Sequence, residues 1–332
     1  MCAPSCSDWL KTPQTVISPS MTRPTAEEIE RLFVGPAAAY TRLQVAEAAG
    51  VSSALAERLW RALGFASPTD DEVVFTEADV ATLRRVRTML DTGLLDEATA
   101  IRMARALGQT TARLAQWQAE IMIGALLPAD PSDADLERVL MAAEKLLPDF
   151  EQVLVHVWRA QLAAAGTRLL TMADLTDETV PTRATLVVGF ADLVSFTRRS
   201  RELGEDELAE LVEGFESRAA DVIAAHGARL VKTLGDEVLF TAADPEQAAR
   251  VAMELVGDDM RIGLAYGPVL PMLGDVFGTT VNLASRLTAL ARPGTILLDS
   301  DLAEALTGFR LVRLRRRSLR GLGFVQPFVL RR

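Results

Sequence analysis

The chain is poor in the side chains that build covalent cross-links and soft metal sites. Among 332 residues it has two cysteines and two histidines, and both cysteines, Cys2 and Cys6, lie close to the amino terminus. This excludes a disulfide framework or a thiolate metal site from the folded part. No segment approaches the ~18 uninterrupted apolar residues of a membrane-spanning helix. We therefore expect a cytoplasmic protein without a membrane partner, in which residues 1–23 form a disordered tail.

Length and composition favour two domains. With 332 residues, of which 49% are hydrophobic, the chain can bury a separate core in each half. Residues 24–170 have an almost entirely helical pattern, residues 171–183 form a polar linker, and residues 184–332 alternate strand-like and helical segments. The predicted fold class is α+β: an all-α amino-terminal bundle, followed by a helix-covered, mostly antiparallel sheet of the ferredoxin-like kind.

Local signals place several boundaries. In the first half, Thr25 with Glu28 and Ser132 with Asp135 have the spacing of capping boxes, and prolines separate the later helices at Pro128, Pro131 and Pro148. In the second half, the apolar spacing of residues 207–226 predicts a helix with one buried face. Strands are predicted at residues 260–266, 295–299 and 324–330.

A helix-turn-helix pattern in residues 41–65, followed by a possible wing at residues 73–75, resembles that of MerR-type regulators and would imply DNA binding. Charge argues against this function, because residues 1–184 hold 25 acidic and 17 basic side chains, whereas groove binding relies on excess lysine and arginine. A local arginine cluster is equally well explained as a solvated helix face: Arg58, Arg61, Arg84, Arg85 and Arg87. We favour a regulatory bundle over a nucleic-acid partner.

The second half contains a carboxylate where a buried strand ends. Residues 186–191 form an apolar run, typical of a strand covered on both faces, and Asp192 follows it directly. Residues 195–197 then open a helix, where free backbone N–H groups and the helix dipole favour phosphate. A metal ligand is thus predicted beside an anion cradle.

A second carboxylate is predicted at the tip of a hairpin. Residues 229–232 and 237–240 read as two strands, and Gly235 supplies the backbone freedom of the turn that presents Asp236. Mg²⁺ takes a few carboxylates and leaves its other positions to water and substrate phosphates. Taken singly, Asp192 could only cap a helix and Asp236 could only fill a turn; taken together they favour a metal site.

Together with residues 275–286, these segments resemble the catalytic domain of the class III adenylate and guanylate cyclases, and the resemblance covers residues 184–332. It implies metal ligands for two Mg²⁺ or Mn²⁺ ions per site at Asp192, Leu193 (through its carbonyl) and Asp236. It implies substrate-binding residues at Lys232 and Asp275, which select adenine, and at Ser195, Phe196 and Thr197, which hold the triphosphate. It implies ribose and transition-state contacts from the catalytic residues Asn282 and Arg286.

Physical chemistry is consistent with these roles. A lysine donates to N1 of adenine and a carboxylate accepts from its exocyclic amine, whereas guanine presents the opposite pattern. Asn282 and Arg286, four residues apart, share one helix face, although alone they could be a polar stripe. By the family resemblance, Arg320 is the best match to the basic residue that cyclases place on the distal phosphates of the substrate. A solvated edge strand could also explain the surrounding arginines. The predicted reaction converts ATP into 3′,5′-cyclic AMP and pyrophosphate.

The spacing of Lys232 and Asp236 points to a homodimer. A lysine aimed at a metal site would compete with the cations, and the conflict disappears if Asp192 and Asp236 come from one subunit while Lys232, Asp275, Asn282 and Arg286 come from the other, as in the family. A two-fold dimer would then have two equivalent sites.

Three alternatives remain at this stage: a guanylate cyclase, a diguanylate cyclase, whose Gly-Gly-Asp-Glu-Phe signature lies at the same hairpin, and an inactive cyclase-like module in a DNA-binding or signalling regulator. The first half also resembles the helical domain of actinobacterial cyclases that restrains catalysis and relaxes at acid pH. His156 and His226 are candidates for sensing pH.

Overall fold

The computed structural model describes residues 24–128, 130–172, 184–194, 196–272 and 274–331. These residues divide into two compact units, one ending at Leu162 and the other beginning at Ala163. No helix in these ranges combines the length and the apolar composition that crossing a membrane requires. The predicted tail at residues 1–23 and most of the predicted linker at 171–183 lie outside the described residues.

The first unit is helical apart from one short ribbon. Its elements are α1 (Ala26–Val34), β1 (Tyr40–Thr41), α2 (Arg42–Ala49), α3 (Ser53–Leu63), β2 (Val73–Phe75), α4 (Glu77–Asp91), α5 (Glu97–Leu126) and α6 (Asp133–Met172), the last of which contains the division between the units. The predicted capping boxes are present, since Thr25 Oγ1 accepts from the backbone N–H of Glu28, and Ser132 Oγ accepts from that of Asp135.

The predicted helix-turn-helix pattern corresponds to α2 and α3. Gly50 ends α2 in the left-handed region at φ 69°, where glycine is favoured, and the side chain of Ser52 caps α3. The predicted wing is β2, which pairs antiparallel with β1. A core of buried apolar side chains joins these elements to α4: Val45, Ala46, Ala49, Leu55, Ala56, Leu59, Phe75, Val80 and Leu83.

Four of the five clustered arginines have acidic partners. Arg58 pairs with Glu97 at 3.2 Å, Arg61 pairs with Glu57, Arg84 lies 3.7 Å from Glu77, and Arg87 lies 3.6 Å from Asp91. These contacts partly neutralise the charge that a DNA phosphate would need. They favour the solvated-face interpretation of the cluster.

The expectation that Pro148 separates two helices was wrong, because α6 continues through this residue from Asp133 to Met172. Proline removes one backbone N–H donor from a helix, yet long apolar and helix-forming runs on both sides sustain the helix. The apolar side chains near the middle of α6, among them Phe150, Val153 and Trp158, are exposed.

The second unit holds the larger sheet. After the end of α6, its elements are β3 (Ala184–Leu193), α7 (Phe196–Glu202), α8 (Glu205–Ala225), β4 (Arg229–Thr233), β5 (Glu237–Ala242), α9 (Pro245–Leu255), β6 (Met260–Met272), β7 (Asp275–Phe277), α10 (Thr279–Leu290), β8 (Thr295–Leu298), α11 (Ser300–Ala305), β9 (Arg310–Arg313), β10 (Arg317–Leu319), β11 (Gly323–Val325) and β12 (Phe328–Arg331).

The main sheet has the order β4-β5-β3-β6-β8-β12-β9, with β7 added to the end of β6. All its pairs are antiparallel except β6 with β8, which is parallel. Helices cover the sheet, so the predicted α+β class with a mostly antiparallel sheet is confirmed. The strand β3 lies between β5 and β6, with helices on both faces of the sheet. This explains why its residues 187–193 are all buried.

Each face of the sheet has its own core. On one face, Val187, Ala191 and Phe240 pack with residues of α8 and α9. On the other, Phe190 and Leu239 pack with Ala284 of α10. The strand β6 approaches α10 closely at Gly263, where an added Cβ would come within 2.3 Å of the backbone nitrogen of Thr288. Glycine at this position therefore allows α10 to lie flat on the sheet.

The expected single strand at residues 324–330 was wrong. The segment is two strands in different sheets: β11 pairs with β10, whereas β12 pairs with β8 and β9. Pro327 lies between them and has no N–H to donate to a ladder. The result is a separate β10–β11 hairpin, whose turn contains Arg320.

Candidate active site

The structure places Asp192 at the end of the central strand of the site. Asp192 is the penultimate residue of β3, lies opposite Glu237 of β5 and Arg261 of β6, and is only 8% exposed. Alternation along β3 puts its side chain on the same face as Phe190, the face that α10 covers. A carboxylate is thus held at the rim of a rigid, buried element.

Asp236 is brought to the same rim by the β4–β5 hairpin. The turn before it contains Gly235 at φ 72°, and the backbone N–H of Leu234 donates to the carbonyl of Glu237 at 2.7 Å. The N–H of Leu193 donates to the carbonyl of Asp236 at 2.9 Å. The three residues predicted as metal ligands therefore lie together, with the Leu193 N–H fixing the hairpin tip against β3.

Sequence reasoning missed Arg261, which is a direct partner of Asp192. Its Nε lies 2.5 Å from Asp192 Oδ2, and both side chains are at least partly buried. Arg261 is the second residue of β6, between Met260 and Ile262, and both neighbours are fully or almost fully buried. A charged residue within an apolar strand run was the available signal, because a buried charge needs a partner.

Two carboxyl groups at this end of β3 have raised pKa values. Burial raises the pKa of Asp192; the Arg261 guanidinium opposes this rise, and the charge of Asp236 adds to it. Burial, followed by the charges of Asp192 and Asp236, raises the pKa of Glu237 to about 7. Asp192, the ion-pair partner of Arg261, and Glu237 are thus both at least partly buried near the charge of Asp236, an arrangement that a bound cation would relieve.

The donor set fits a hard divalent ion. Among the described residues, no group of three or more Asp, Glu, His or Cys side chains is arranged to hold a metal ion without other ligands. Two carboxylates and one backbone carbonyl leave several coordination positions open. Mg²⁺ is commonly held by one or two carboxylates together with substrate phosphates, so an incomplete protein cage suits it.

The predicted phosphate cradle is described only in part. Ser195 lies outside the described residues, and α7 begins at Phe196 with Thr197 as its second residue. Phe196 packs against the core of the α8 and α9 face, which fixes the start of the helix. The expected helix opening is therefore present at this point of the chain.

Lys232 and Asp275 lie together although 43 residues separate them. Lys232 Nζ lies 2.5 Å from Asp275 Oδ2, and both side chains are partly buried, with exposed fractions of 34% and 25%. The second oxygen of Asp275 accepts from the backbone N–H of Val276 at 2.8 Å, which fixes the carboxylate. A cationic donor and an anionic acceptor thus stand side by side.

Asn282 and Arg286 lie on α10, but they face away from its packed side. Both are exposed, whereas Ala284 between them and Leu287 directly after Arg286 are buried. Neither side chain has a hydrogen bond or ion pair within the described part of the chain. Arg320, in the exposed turn of the β10–β11 hairpin, likewise has none. These three predicted residues are displayed to solvent and are not brought to Asp192 by contacts within the chain.

Two family models cover nearly the whole chain. The model for the adenylate cyclase regulatory domain matches residues 19–165, and the model for the adenylate and guanylate cyclase catalytic domain matches residues 180–332. A protein from Streptomyces coelicolor named adenylate cyclase is 44% identical, with 93% of this chain and 90% of that protein covered. The chain belongs to the class III cyclase family.

Another relative and a solved structure are also similar to this chain. An adenylate cyclase from Streptomyces griseus is 48% identical over 85% of this chain and 72% of its own length. The crystal structure of an adenylyl cyclase from P. aeruginosa matches 45% of this chain and 95% of its own at 19% identity, with a TM-score of 0.42. The match to the catalytic-domain model at residues 180–332 falls within the second unit, which contains every predicted site residue.

We predict that Arg261→Met destabilises this cyclase in metal-free buffer and strengthens its response to metal. The change leaves Asp192 buried beside Asp236 without its guanidinium, so the free energy of unfolding should fall by about 1–3 kcal/mol. Added Mn²⁺ should raise the melting temperature of the variant more than that of the unmodified protein, because no guanidinium competes for Asp192.

The measurement is thermal unfolding with and without Mn²⁺. Arg250→Met is the matched control, because Arg250 pairs with Glu246 on the exposed face of α9, and such pairs contribute little. Equal melting temperatures for the two variants without metal would contradict the role given to Arg261.

Proposed function

We propose that the chain is an adenylate cyclase, which converts ATP into 3′,5′-cyclic AMP and pyrophosphate. The observation that carries the choice of ATP is the Lys232–Asp275 pair within a class III catalytic domain. Relatives that share 44% and 48% of the residues and are named adenylate cyclase support the same choice.

The pair fits the Watson–Crick edge of adenine. Lys232 Nζ donates and so suits N1 of adenine, whereas Asp275 Oδ2 accepts and so suits the exocyclic amine. Guanine carries a hydrogen on N1 and an oxygen at position 6, so both contacts would become mismatched. Because both side chains are partly buried, the mismatch leaves polar groups unsatisfied, which is costly.

Divalent ions would be held by the carboxylates of Asp192 and Asp236 and by the carbonyl of Leu193. Two bound Mg²⁺ or Mn²⁺ ions supply Lewis-acid activation of the ribose 3′-oxygen and stabilise the charge of the leaving pyrophosphate. The chain itself contributes the rigid end of β3, the fixed hairpin turn and the guanidinium of Arg261, which orients Asp192. Phe196 and the start of α7 would lie beside the triphosphate.

The remaining catalytic contacts come from α10 and the β10–β11 hairpin. Asn282 would donate a hydrogen bond to the ribose and accept one from it. These contacts would orient the ribose 3′-oxygen towards the α-phosphorus. Arg286 would meet the negative charge that builds on the α-phosphate as the new bond forms and the bond to pyrophosphate breaks. Arg320 would bind the distal phosphates.

A second copy of the chain would complete each site. Asn282, Arg286 and Arg320 are exposed and unpartnered in the described part of one chain, so their ligand must approach from outside. Apolar side chains are also exposed beside the Lys232–Asp275 pair: Leu234, Leu270, Met272 and Phe277. An exposed apolar group next to polar site residues suits a protein interface. A two-fold homodimer fits, because each chain carries both halves of the site.

The alternatives account for fewer observations. A diguanylate cyclase explains the β4–β5 hairpin but not the Asn282 and Arg286 pair on α10. A guanylate cyclase is disfavoured by the charges of Lys232 and Asp275. An inactive module would not need the carboxyl groups of Asp192, Asp236 and Glu237 at the end of β3, whose burial costs stability.

The first unit would regulate the second. Residues 19–165 match a regulatory domain of adenylate cyclases, and residues 1–184 are strongly acidic, which disfavours nucleic acid as the partner. A change in this unit that moves one catalytic domain relative to its dimer partner would open or close the shared site.

The first test identifies the nucleotide. Purified protein with Mn²⁺ should form cyclic AMP from ATP at a far higher kcat/KM than it forms cyclic GMP from GTP. Lys232→Met should lower kcat/KM for ATP by roughly tenfold or more and reduce the preference for ATP over GTP. Lys145→Met, an exposed lysine of α6, is the control and should change neither value. An unaltered preference in Lys232→Met would contradict the adenine assignment.

The second test asks whether the two halves of the site come from different subunits. Asp192→Ala and Arg286→Ala should each be nearly inactive. Mixed in equal amounts and allowed to exchange subunits, they should regain roughly a quarter of the unmodified activity, because half of the dimers would then have one intact site. Asp192→Ala mixed with Asp236→Ala is the control and should show no recovery, since both lesions fall on the same half.

The third test concerns regulation. Deleting residues 1–180 should change the specific activity markedly and alter its dependence on pH, because the restraint is removed. Deleting residues 1–23 alone should have little effect, since it leaves the first unit intact. Identical rates across pH for the full chain and the longer deletion would contradict a regulatory role.

A further inference from the structure

One cavity of the second unit is lined by neither Asp192 nor Asp236. It has a volume of about 850 Å³ and lies between the end of α10, the start of β8, the segment that leads into β10 and the end of β12. Small-molecule sites in proteins commonly measure about 300–1,000 Å³. The cavity is therefore large enough for an organic anion.

Positive charge dominates the walls of this cavity. Four arginines line it, Arg292, Arg315, Arg317 and Arg331, against one acidic residue, Asp258. All four arginines are exposed residues. Within the described part of the chain, none of these guanidiniums has an ion pair or a hydrogen bond, although many other arginines of the protein do. Four positive side chains that line one cavity attract negative charge, so the cavity is suited to an anion.

The floor of the cavity is apolar. Leu297 of β8 and Val329 of β12, which are nearly fully buried, line it together with Leu314. A planar guanidinium forms bidentate hydrogen bonds with phosphate oxygens. Several such groups around an apolar floor fit a ligand that carries more than one phosphate and has room for an attached apolar group.

We propose that this cavity, which we call the arginine cleft, is a binding site for a polyphosphate group, separate from the catalytic site. The ligand class comprises inorganic polyphosphates and nucleoside polyphosphates, which share the recognised group. Arg315 and Arg317 would hold the phosphates from one wall, and Arg292 and Arg331 from the other.

The arginine cleft is connected to elements that carry site residues. Arg317 is the first residue of β10, in the hairpin whose turn contains Arg320. Arg292 follows the end of α10, the helix that carries Asn282 and Arg286. Thr295, also at the cleft, lies opposite Arg261 in the β6–β8 register. An anion that draws the walls together would bias these elements; this consequence rests on the proposed function, whereas binding itself does not.

Binding is tested by calorimetric titration of the full chain with inorganic tripolyphosphate. The titration uses the Arg286→Ala/Arg320→Ala background and EDTA, so that neither metal nor these two arginines can hold the anion at the catalytic site. The double variant Arg315→Gln/Arg317→Gln should weaken binding by roughly tenfold or more. The matched control is Arg310→Gln/Arg313→Gln, because these exposed arginines of β9 remove equal charge but do not line the cleft.

The control should change the affinity by less than about twofold. If the first double variant fails to fold, as judged by its melting temperature, Arg292→Gln/Arg331→Gln replaces it with the same expectation. A titration with ATP in the same buffer distinguishes the two possible ligands. Tighter binding of ATP than of tripolyphosphate would identify a nucleoside polyphosphate as the ligand, and equal binding would identify an inorganic polyphosphate. Absence of binding, or equal loss in both double variants, overturns the proposal. That outcome would leave the proposed cyclase function standing, because the titration measures binding in the cleft and not catalysis.

Discussion

The site depends on carboxyl groups that lie together at the buried end of β3 with too little positive charge to balance them. Burying these groups costs free energy of folding. Asp192 has Arg261 as its partner, whereas burial, followed by the charges of Asp192 and Asp236, raises the pKa of Glu237 to about 7. A fold selected only for stability would avoid such a cluster. Its presence on a rigid strand supports the proposal of a cation site there.

Sheet geometry decides which residues can serve one ligand. Register places Asp192, Phe190, Leu239 and Lys232 on one face of the sheet, which is the face that α10 covers. The packed side of α10 faces that sheet, so Asn282 and Arg286 must point away from it. Asp192 and Asp236, the proposed metal ligands, and Asn282 and Arg286, the proposed ribose and phosphate contacts, therefore cannot converge through helix packing alone. In the proposed homodimer a second chain would supply the missing approach, and the exposed apolar side chains beside Lys232 would lie at its interface.

Patterns local in sequence were sufficient for some elements and not for others. The apolar run before Asp192, the turn at Gly235 and the four-residue spacing of Asn282 and Arg286 are short-range signals, and they predicted a strand end, a hairpin and a helix face that the structure contains. The Lys232–Asp275 contact could not be derived in this way, because three other elements (β5, α9 and β6) and four connections separate the partners. Only the family resemblance indicated it.

The errors have similar causes. Arg261 was overlooked because strand patterns score its apolar neighbours and ignore the lone charge, although a charge in a buried run requires a partner close by in space. Pro148 was given too much weight as a helix terminator, since long flanking helical runs outweigh one lost hydrogen bond. Pro327 was given too little weight, because a residue without an N–H at the junction of two ladders is a reason for a strand to end.

The distribution of charge along the chain connects the two units with their proposed ligands. Residues 1–184 carry most of the net negative charge, whereas residues 185–332 hold 20 acidic and 18 basic side chains. Within the latter, no acidic residue follows Glu304, and eight arginines occur from Arg310 onwards. The carboxyl-terminal strands therefore form a positive region on an otherwise acidic protein. A multiply charged anion is drawn towards such a region and repelled elsewhere, so the same bias that would guide a triphosphate to Arg320 would also supply the arginine cleft.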